Sequence, residues 1–270
     1  MDSEEMIVKK CVILAAGKGT RLKPYTYYAP KPLLKLHGKP ILEYIIDGIL
    51  VHTQIKEFCL IIGYKNEMIR QWCNNYYLRK LESKGIKASF HFIEQKEING
   101  TGGATLLAEN WVDGEHFMEV YGDILVFQPI YGRLYRAFAS QFQNKQNKTI
   151  RYALVGNYTK DPSAGAAIYV NDQNEIINMI EKPPKEATPT NYNNAGLYMF
   201  TPQIFEELKN MGLSPRGEIE LTAPIIQQIK SRNPPVFIGM TQDEFWCDVG
   251  TKEAFDSLES DEFLEKKIIG

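Results

Sequence analysis

The stretch LAAGKGTRLKP, Leu14–Pro24, decides the fold, because an apolar run ends there in a glycine-rich, cationic turn. The run itself, Cys11–Ala16, predicts a buried strand. Gly17 and Gly19 let the backbone turn tightly or approach a ligand closely. The cations beside them indicate an anionic ligand, although an ordinary glycine turn with a surface arginine fits the same letters.

Short apolar runs alternate with longer amphipathic segments through the first half of the chain. The strand-like runs are KCVILAA, EFCLIIG, KASFHFIEQ and HFMEVYGDI, and the helix-like segments are PILEYIIDGIL, NEMIRQWCNNYYLRKL and GGATLLAENW. This alternation predicts right-handed crossovers and a mostly parallel sheet with helices on both faces. Ligands of such sheets bind beyond the carboxyl ends of the strands, where the glycine turn lies.

The second half of the chain has a different order of predicted elements, with strands following one another directly. Strand-like pieces with short connections predict mixed or antiparallel structure, and they are RYALVGNY, AGAAIYV, EIINMIEKP and NAGLYMF. A helix then follows Thr201, a predicted N-cap, with Pro202 in its first turn. Pro224 indicates the start of a further helix or a kink in it. These features predict one mixed α/β domain with two subregions.

Composition excludes several functional classes. The 270 residues carry a net charge of -2, so the chain lacks the global basic field that drives nucleic-acid binding. No apolar run approaches the ~20 residues needed to span a bilayer, and no signal peptide is indicated. The four cysteines form no C-x-x-C pair, which predicts a reduced, cytoplasmic protein. The four histidines lack ligand spacing, which argues against a zinc site.

The glycine turn matches neither common phosphate-binding motif. A P-loop fails because Val12 stands at its first glycine position, and the dinucleotide motif fails because Leu22 stands at its third. Further along, Lys31 lies between Pro30 and Pro32. A lysine held in this way costs less entropy to immobilise on a ligand than a mobile one. A solvated lysine in a connection is the alternative.

Together these segments resemble the signature of the sugar-1-phosphate nucleotidyltransferases, and most of all the glucose-1-phosphate thymidylyl- and uridylyltransferases. The similar segments, in order, are LAAGKGTRLKP with PKPLLKLHGKP, EQKEINGTGGAT, VYGDILV, IEKPP, NNAGLYMF, RGEIELTAPI and FWCDVGT. They span nearly all of Lys10 to Thr251. The resemblance implies a Rossmann-like, GT-A-type α/β fold, whose mixed, mostly parallel central sheet is flanked by helices and carries a small β-rich sugar-binding subregion.

It further implies a single nucleotidyltransferase domain over residues 1–270, with a nucleotide-binding half at about 9–150, a sugar-binding half at 151–250 and a C-terminal helix at 251–270. The family reaction is attack of a sugar-1-phosphate oxygen on the α-phosphorus of a nucleoside triphosphate, with release of pyrophosphate. Such chemistry requires mainly positioning and charge neutralisation. We therefore predict a nucleoside triphosphate and a sugar 1-phosphate as the partners, with neither nucleic acid nor membrane.

The resemblance also assigns roles to residues. The nucleotide-binding positions are Leu14, Ala15, Ala16, Gly17, Gly19, Thr20, Arg21, Gln95 and Gly100. The positions for the sugar phosphate are Gly165, Glu181, Lys182 and Asn194. The catalytic set is Arg21, Lys31, Asp123 and Lys182, and the Mg²⁺ ligands are Asp123 and Asp248. Taken singly, each aspartate also fits a plain helix cap or turn residue.

Substrate choice stays open at this point. Gln95, five residues before Gly100, matches the base-reading glutamine, which favours dTTP or UTP, with glucose 1-phosphate as the expected sugar. Ala166 and Ala167 depart from the family pattern and leave the sugar in question. The alternatives are a guanylyl- or cytidylyltransferase acting on mannose 1-phosphate or phosphocholine, and a non-catalytic regulatory subunit. A homo-oligomer is compatible with the sequence, but not one built on a hexapeptide-repeat extension.

Overall fold

The computed structural model describes residues 8–143, 152–184 and 190–270, which form a mixed α/β fold around one large sheet. The strands are β1 (Lys10–Ala15), β2 (Lys35–Leu36), β3 (Lys39–Pro40), β4 (Glu57–Ile62), β5 (Ser89–Glu94), β6 (Phe117–Tyr121), β7 (Ile124–Val126), β8 (Tyr152–Tyr158), β9 (Ala166–Val170), β10 (Ile176–Glu181), β11 (Tyr192–Phe200), β12 (Val236–Gly239) and β13 (Trp246–Asp248). The helices are α1 (Ile41–His52), α2 (Asn66–Gln71), α3 (Leu78–Ser83), α4 (Thr101–Leu106), α5 (Glu109–Val112), α6 (Pro129–Gln143), α7 (Gln203–Asn210), α8 (Thr222–Lys230), α9 (Lys252–Glu259) and α10 (Leu264–Ile269).

Parallel strands form one half of the large sheet, in the order β5–β4–β1–β6. In the middle, Leu14 of β1 pairs with Ile61 of β4 and with Tyr121 of β6. Because these strands are parallel, the loops that follow them leave the sheet at one edge. The predicted parallel sheet is confirmed, and the glycine turn lies at the edge where its strands end.

Antiparallel pairing begins at β11, which lies between the two halves of the fold. Its end, Leu197–Phe200, pairs with β6, while Tyr192 and Asn193 at its start pair with β9. Its other edge pairs with β8, and β9 continues into the antiparallel partner β10. Gly196 has a φ of 75°, and a Cβ there would lie 2.8 Å from the Tyr121 ring. The β-rich second half predicted from the sequence is therefore present.

The core lies on both faces of this sheet. Cys11 and Ile13 of β1 belong to the cluster that packs with α1 and α6, whereas Val12 belongs to the cluster that packs with α4, α7 and α8. Alternation along a strand requires this division. Nothing in the sequence analysis predicted α6, although its buried residues recur at helical spacing: Ile130, Tyr131, Leu134, Tyr135 and Phe138.

Two helix predictions were wrong in detail. Thr201 does not cap α7: the N-cap is Pro202, and Thr201 Oγ1 is buried without a hydrogen-bond partner among the described residues. The cause is that β11 runs directly up to Thr201 and its side chain is buried. The predicted C-terminal helix is two helices, α9 and α10, separated at residues 260–263. In this break, Phe263 N donates to Asp261 Oδ1 at 3.1 Å.

The four cysteines are free thiols, and three of them, Cys11, Cys59 and Cys73, are buried, whereas Cys247 is partly exposed. None of the helices within the described ranges combines the length and the apolar character that crossing a membrane requires. The predicted boundary between the halves, at 150 and 151, lies outside the described residues, so the domain division stays a prediction.

A carboxyl group lies deep in this core. Glu119 of β6 is 0% exposed and accepts a hydrogen bond from Thr105 Oγ1 at 2.9 Å. Its Oε2 has no partner among the described residues. Burial raises the pKa of Glu119 to about 8, although the Thr105 hydrogen bond opposes this. The folded protein therefore keeps Glu119 protonated where the unfolded chain ionises it.

This raised pKa predicts a pH dependence of stability. Between pH 4.5 and 8 the folded state binds more protons than the unfolded state. The contribution of Glu119 is thus fully present below pH 4.5 and declines by about 1.4 kcal/mol per pH unit up to pH 8. We expect Glu119→Gln to remove this decline in denaturant unfolding from pH 5 to 8. Glu262→Gln, which removes an exposed carboxylate, is the control, and parallel wild-type and Glu119→Gln profiles would contradict the assignment.

Candidate active site

A cavity of about 660 Å³ opens where the parallel strands end, a size typical of small-ligand sites. One wall comes from the loop after β1, and the next from the loop between β5 and α4. The end of β6 forms its floor, and the β-rich half together with residues 216–222 forms the opposite wall. The site therefore joins both halves of the fold.

The conformation of the glycine turn after β1 depends on Gly19. Gly19 has a φ of 60°, and a Cβ there would lie 2.8 Å from Thr26 Cγ2. Thr26 Oγ1 donates to Gly19 O at 2.9 Å. Thr20–Leu22 then forms a short 3₁₀ turn that carries Arg21 toward Gly250. The predicted phosphate loop thus takes a fixed bend beside the cavity.

Two carboxylates and a lysine converge at the floor of the site. Lys31 Nζ lies 2.5 Å from Asp123 Oδ2 and 3.7 Å from Asp248 Oδ1, and Lys31 is only 8% exposed. The short antiparallel pair β7 and β13 brings the aspartates together, because it places Asp248 opposite Ile124. Val249 N also donates to Asp123 O at 2.9 Å.

The electrostatics of this centre suit a cation. Burial raises the pKa of Asp248, the charge of Asp123 adds to this, and Lys31 and Arg21 oppose it. Two repelling carboxylates beside one lysine can take a further positive charge. Among the described residues no cluster of three or more His, Cys, Asp or Glu could hold a metal. A pair of carboxylates fits Mg²⁺, which usually binds one or two together with substrate phosphates.

The second wall contains the predicted base-reading segment. Gln95 is 7% exposed, and its backbone N–H donates to Ile62 O at 2.8 Å. Gly100 has a φ of 98°, and a Cβ there would lie 2.4 Å from Ile219 O. Only glycine therefore permits the close approach of this segment to the 216–222 wall.

Glu181 and Asn194 lie in the opposite wall with Gly165. Burial raises the pKa of Glu181, as does Glu220, while Lys182 and Arg216 oppose the rise. Asn194 Nδ2 donates to Tyr198 Oη at 2.5 Å, which fixes the amide.

Lys182 follows Glu181 directly in the chain. Its φ is 45°, and its backbone N–H donates to Gly165 O at 2.9 Å. A Cβ on Gly165 would lie 2.6 Å from Asn193 Oδ1, so this position has no room for a side chain.

The structure brings most of the predicted site residues to the cavity. Those that line it are Leu14, Ala16, Gly17, Gln95, Gly100, Asp123, Gly165, Glu181, Asn194 and Asp248. Those that do not line it directly are Ala15, Gly19, Thr20, Arg21, Lys31 and Lys182. Of these, Lys31 forms ion pairs with Asp123 and Asp248, and both Lys31 and Arg21 oppose the rise in the pKa of Asp248. The side chain of Ala15 is buried at the end of β1.

Several lining residues were not predicted individually. Arg216, Glu218 and Glu220 line the wall beside Glu181, and Arg216 Nη2 donates to Glu220 Oε1 at 2.7 Å. All three residues lie in the segment RGEIELTAPI, which was quoted for the family resemblance, and its charged residues around a glycine could have indicated a ligand-binding segment. Asn157, 3% exposed, also lines the cavity, and its Oδ1 has no partner among the described residues. Nothing in its strand-like surroundings singles it out.

Comparison with known proteins identifies the family of this chain. Residues 10–265 match the family model described as nucleotidyl transferase. The bifunctional protein GlmU of Methanocaldococcus jannaschii is 34% identical over 257 residues, 95% of this chain and 54% of that protein. The UTP–glucose-1-phosphate uridylyltransferase AglF of Haloferax volcanii is 32% identical over 251 residues, 93% of this chain and 95% of that one.

A solved structure of UDP-glucose pyrophosphorylase with UDP-glucose has a TM-score of 0.80 at 24% identity, covering 96% of this chain and 100% of that chain. This likeness confirms the predicted fold. The chain spans about half the length of the GlmU relatives that it matches. The family match, by contrast, includes every segment that lines the cavity. The chain therefore belongs to the nucleotidyl transferase family.

Proposed function

We propose that this protein transfers a nucleotidyl group from dTTP or UTP to a sugar 1-phosphate, preferably glucose 1-phosphate, in a Mg²⁺-dependent reaction that releases pyrophosphate. The observation that carries this proposal is the cluster of Lys31, Asp123 and Asp248 on the cavity floor between the Gln95 and Glu181 walls. A triphosphate bound along one wall and a sugar phosphate along the other would meet at this cluster.

The residues at the cavity floor would neutralise the negative charge of the triphosphate. Lys31 and Arg21 provide cations for the triphosphate, and Asp123 with Asp248 would hold the metal ion. When bound, Mg²⁺ supplies a Lewis acid for the α-phosphate oxygens. The protein contributes alignment, because the bent glycine turn and the β7–β13 pair fix these side chains before the substrates arrive.

The base would lie against Gln95 and Gly100, with Leu14, Ala16 and Gly17 on its other side. A glutamine amide offers a donor and an acceptor to the edge of uracil or thymine. The choice of UTP is supported by the Haloferax relative, which is named a UTP–glucose-1-phosphate uridylyltransferase.

The sugar phosphate would occupy the opposite wall. Lys182 and Arg216 provide cations for its phosphate, while Glu181, Asn194 and Asn157 face sugar hydroxyls. The unpartnered Asn157 Oδ1 is an acceptor that a sugar hydroxyl can satisfy. Ala166 also lines the cavity, which leaves room for sugars bulkier than glucose.

The substrate pair can be tested by measuring pyrophosphate release from five triphosphates, each with glucose 1-phosphate and with mannose 1-phosphate. We expect kcat/KM to be highest for UTP or dTTP with glucose 1-phosphate. Each mispaired base would cost about 5- to 150-fold. A clear preference for CTP, or for GTP with mannose 1-phosphate, would favour the other transferases. A clear preference for CTP or ATP would also show that Gln95 does not read the base as proposed. Tight binding without turnover would indicate a regulatory subunit.

If Lys182 binds the sugar phosphate, its removal should affect KM for the sugar phosphate more than KM for the triphosphate. Lys182→Ala removes a charge-assisted contact worth roughly 1.5–3 kcal/mol, so KM for the sugar phosphate should rise about tenfold or more. KM for the triphosphate should change much less. Initial-rate kinetics with each substrate varied in turn would measure this, with the exposed Lys230→Ala as control. A rise in the triphosphate KM alone would place Lys182 in the other half of the site.

A further inference from the structure

The amide of Gln95 has a hydrogen-bond partner inside the protein. Gln95 Nε2 donates to Asn99 Oδ1 at 3.1 Å. The backbone of Gln95 is fixed to β4, because its N–H donates to Ile62 O. A half-turn of the amide would exchange its oxygen and its nitrogen, so the hydrogen bond to Asn99 decides which of the two atoms stays available.

Both the backbone and the side chain of Asn99 make close contacts. Its backbone carbonyl oxygen accepts from Ile219 N at 2.8 Å, which connects Asn99 to the 216–222 wall. Its side chain occupies space that Gly103 leaves open, since a Cβ on Gly103 would lie 2.0 Å from Asn99 Oδ1. Gly103 thus makes room for the acceptor that Gln95 uses.

We propose that Asn99 is a positioning residue that selects the nucleobase through the orientation of the Gln95 amide. By accepting from Nε2, Asn99 leaves Oε1 of Gln95 as the atom that the base meets. Uracil, thymine and guanine present a ring N–H donor at the corresponding edge and can pair with this oxygen. Cytosine and adenine present a ring nitrogen acceptor there and would meet it as two facing lone pairs. This inference rests on the proposed function only in taking Gln95 as the base reader.

The test is equilibrium binding of UTP and CTP by calorimetry, which needs no turnover. Without the Asn99 acceptor the amide can turn, so in Asn99→Ala the ratio of Kd for CTP to Kd for UTP should fall about five- to tenfold. Gly103→Ala should lower the ratio similarly, because the new methyl group displaces Asn99. Asn99→Asp keeps an acceptor oxygen in place and should preserve the wild-type ratio.

Different outcomes separate this inference from the proposed function. Absence of sugar nucleotide synthesis in the wild type would defeat the proposed function, yet the binding ratios would still report on Asn99. A purely structural role would weaken UTP and CTP equally in Asn99→Ala and leave the ratio unchanged, which overturns the inference. If Asn99→Ala does not fold, Gly103→Ala and Asn99→Asp decide it. An inversion toward CTP in Asn99→Asp would also overturn it.

Discussion

Asp123→Asn and Asp248→Asn should each reduce kcat on the order of a hundredfold to a thousandfold or more, with the fold intact. The reason is that either change leaves a single carboxylate on the cavity floor, beside a lysine that already lies within 4 Å of both aspartates. An amide keeps the shape of the side chain but loses the charge that a divalent cation requires. Steady-state kinetics at saturating Mg²⁺, with circular dichroism as a check on folding, would measure the loss.

The matched control is Asp172→Asn, which neutralises an exposed aspartate in a turn distant from the floor. It should have wild-type kinetics. Near-wild-type turnover in either Asp123→Asn or Asp248→Asn would reject the metal assignment, even if the rest of the site binds its substrates as proposed.

Lys31→Met should lower kcat/KM for the triphosphate about a hundredfold, at the upper end of what a charge-assisted contact contributes. Lys31 is nearly buried between Pro30 and Pro32, and its Nζ lies within 4 Å of both aspartates, so its charge is held at the cavity floor. The variant also leaves Asp123 and Asp248 without their shared cation.

Lys35→Met provides the control for this variant, because Lys35 lies in the same segment but is exposed. It should leave kcat/KM unchanged. If Lys31→Met instead raised only the KM for the sugar phosphate, Lys31 would have to be moved to the opposite wall of the cavity.

Much of the fold could be predicted because its strands are short apolar runs with clear boundaries. The run Cys11–Ala16 ends in glycines, and β1 ends at Ala15. Helix α6 carried an equally regular pattern but was not predicted. Thr201 failed as a cap because tertiary burial competes with local capping preferences.

The site was harder to predict from residues alone. Asp123 and Asp248 are far apart in sequence, and only the β7–β13 pairing brings them to one lysine. Resemblance to a family named both aspartates as ligands of one metal ion, whereas the residue patterns alone did not connect them. The contact between Asn99 and Gln95 was missed for a related reason, since it depends on the space left by Gly103 in α4.

The central claim is that the α-phosphorus of a nucleoside triphosphate is attacked by a sugar phosphate in this cavity. Single-turnover reactions with UTP and, in parallel, dTTP, each labelled at its α-phosphate, with glucose 1-phosphate and Mg²⁺ test it most directly. We expect the label to appear in a nucleoside-diphosphate sugar, with one unlabelled pyrophosphate released per labelled product. Label that stays in both triphosphates, or that appears in a nucleoside monophosphate through attack by water, would contradict the proposed function.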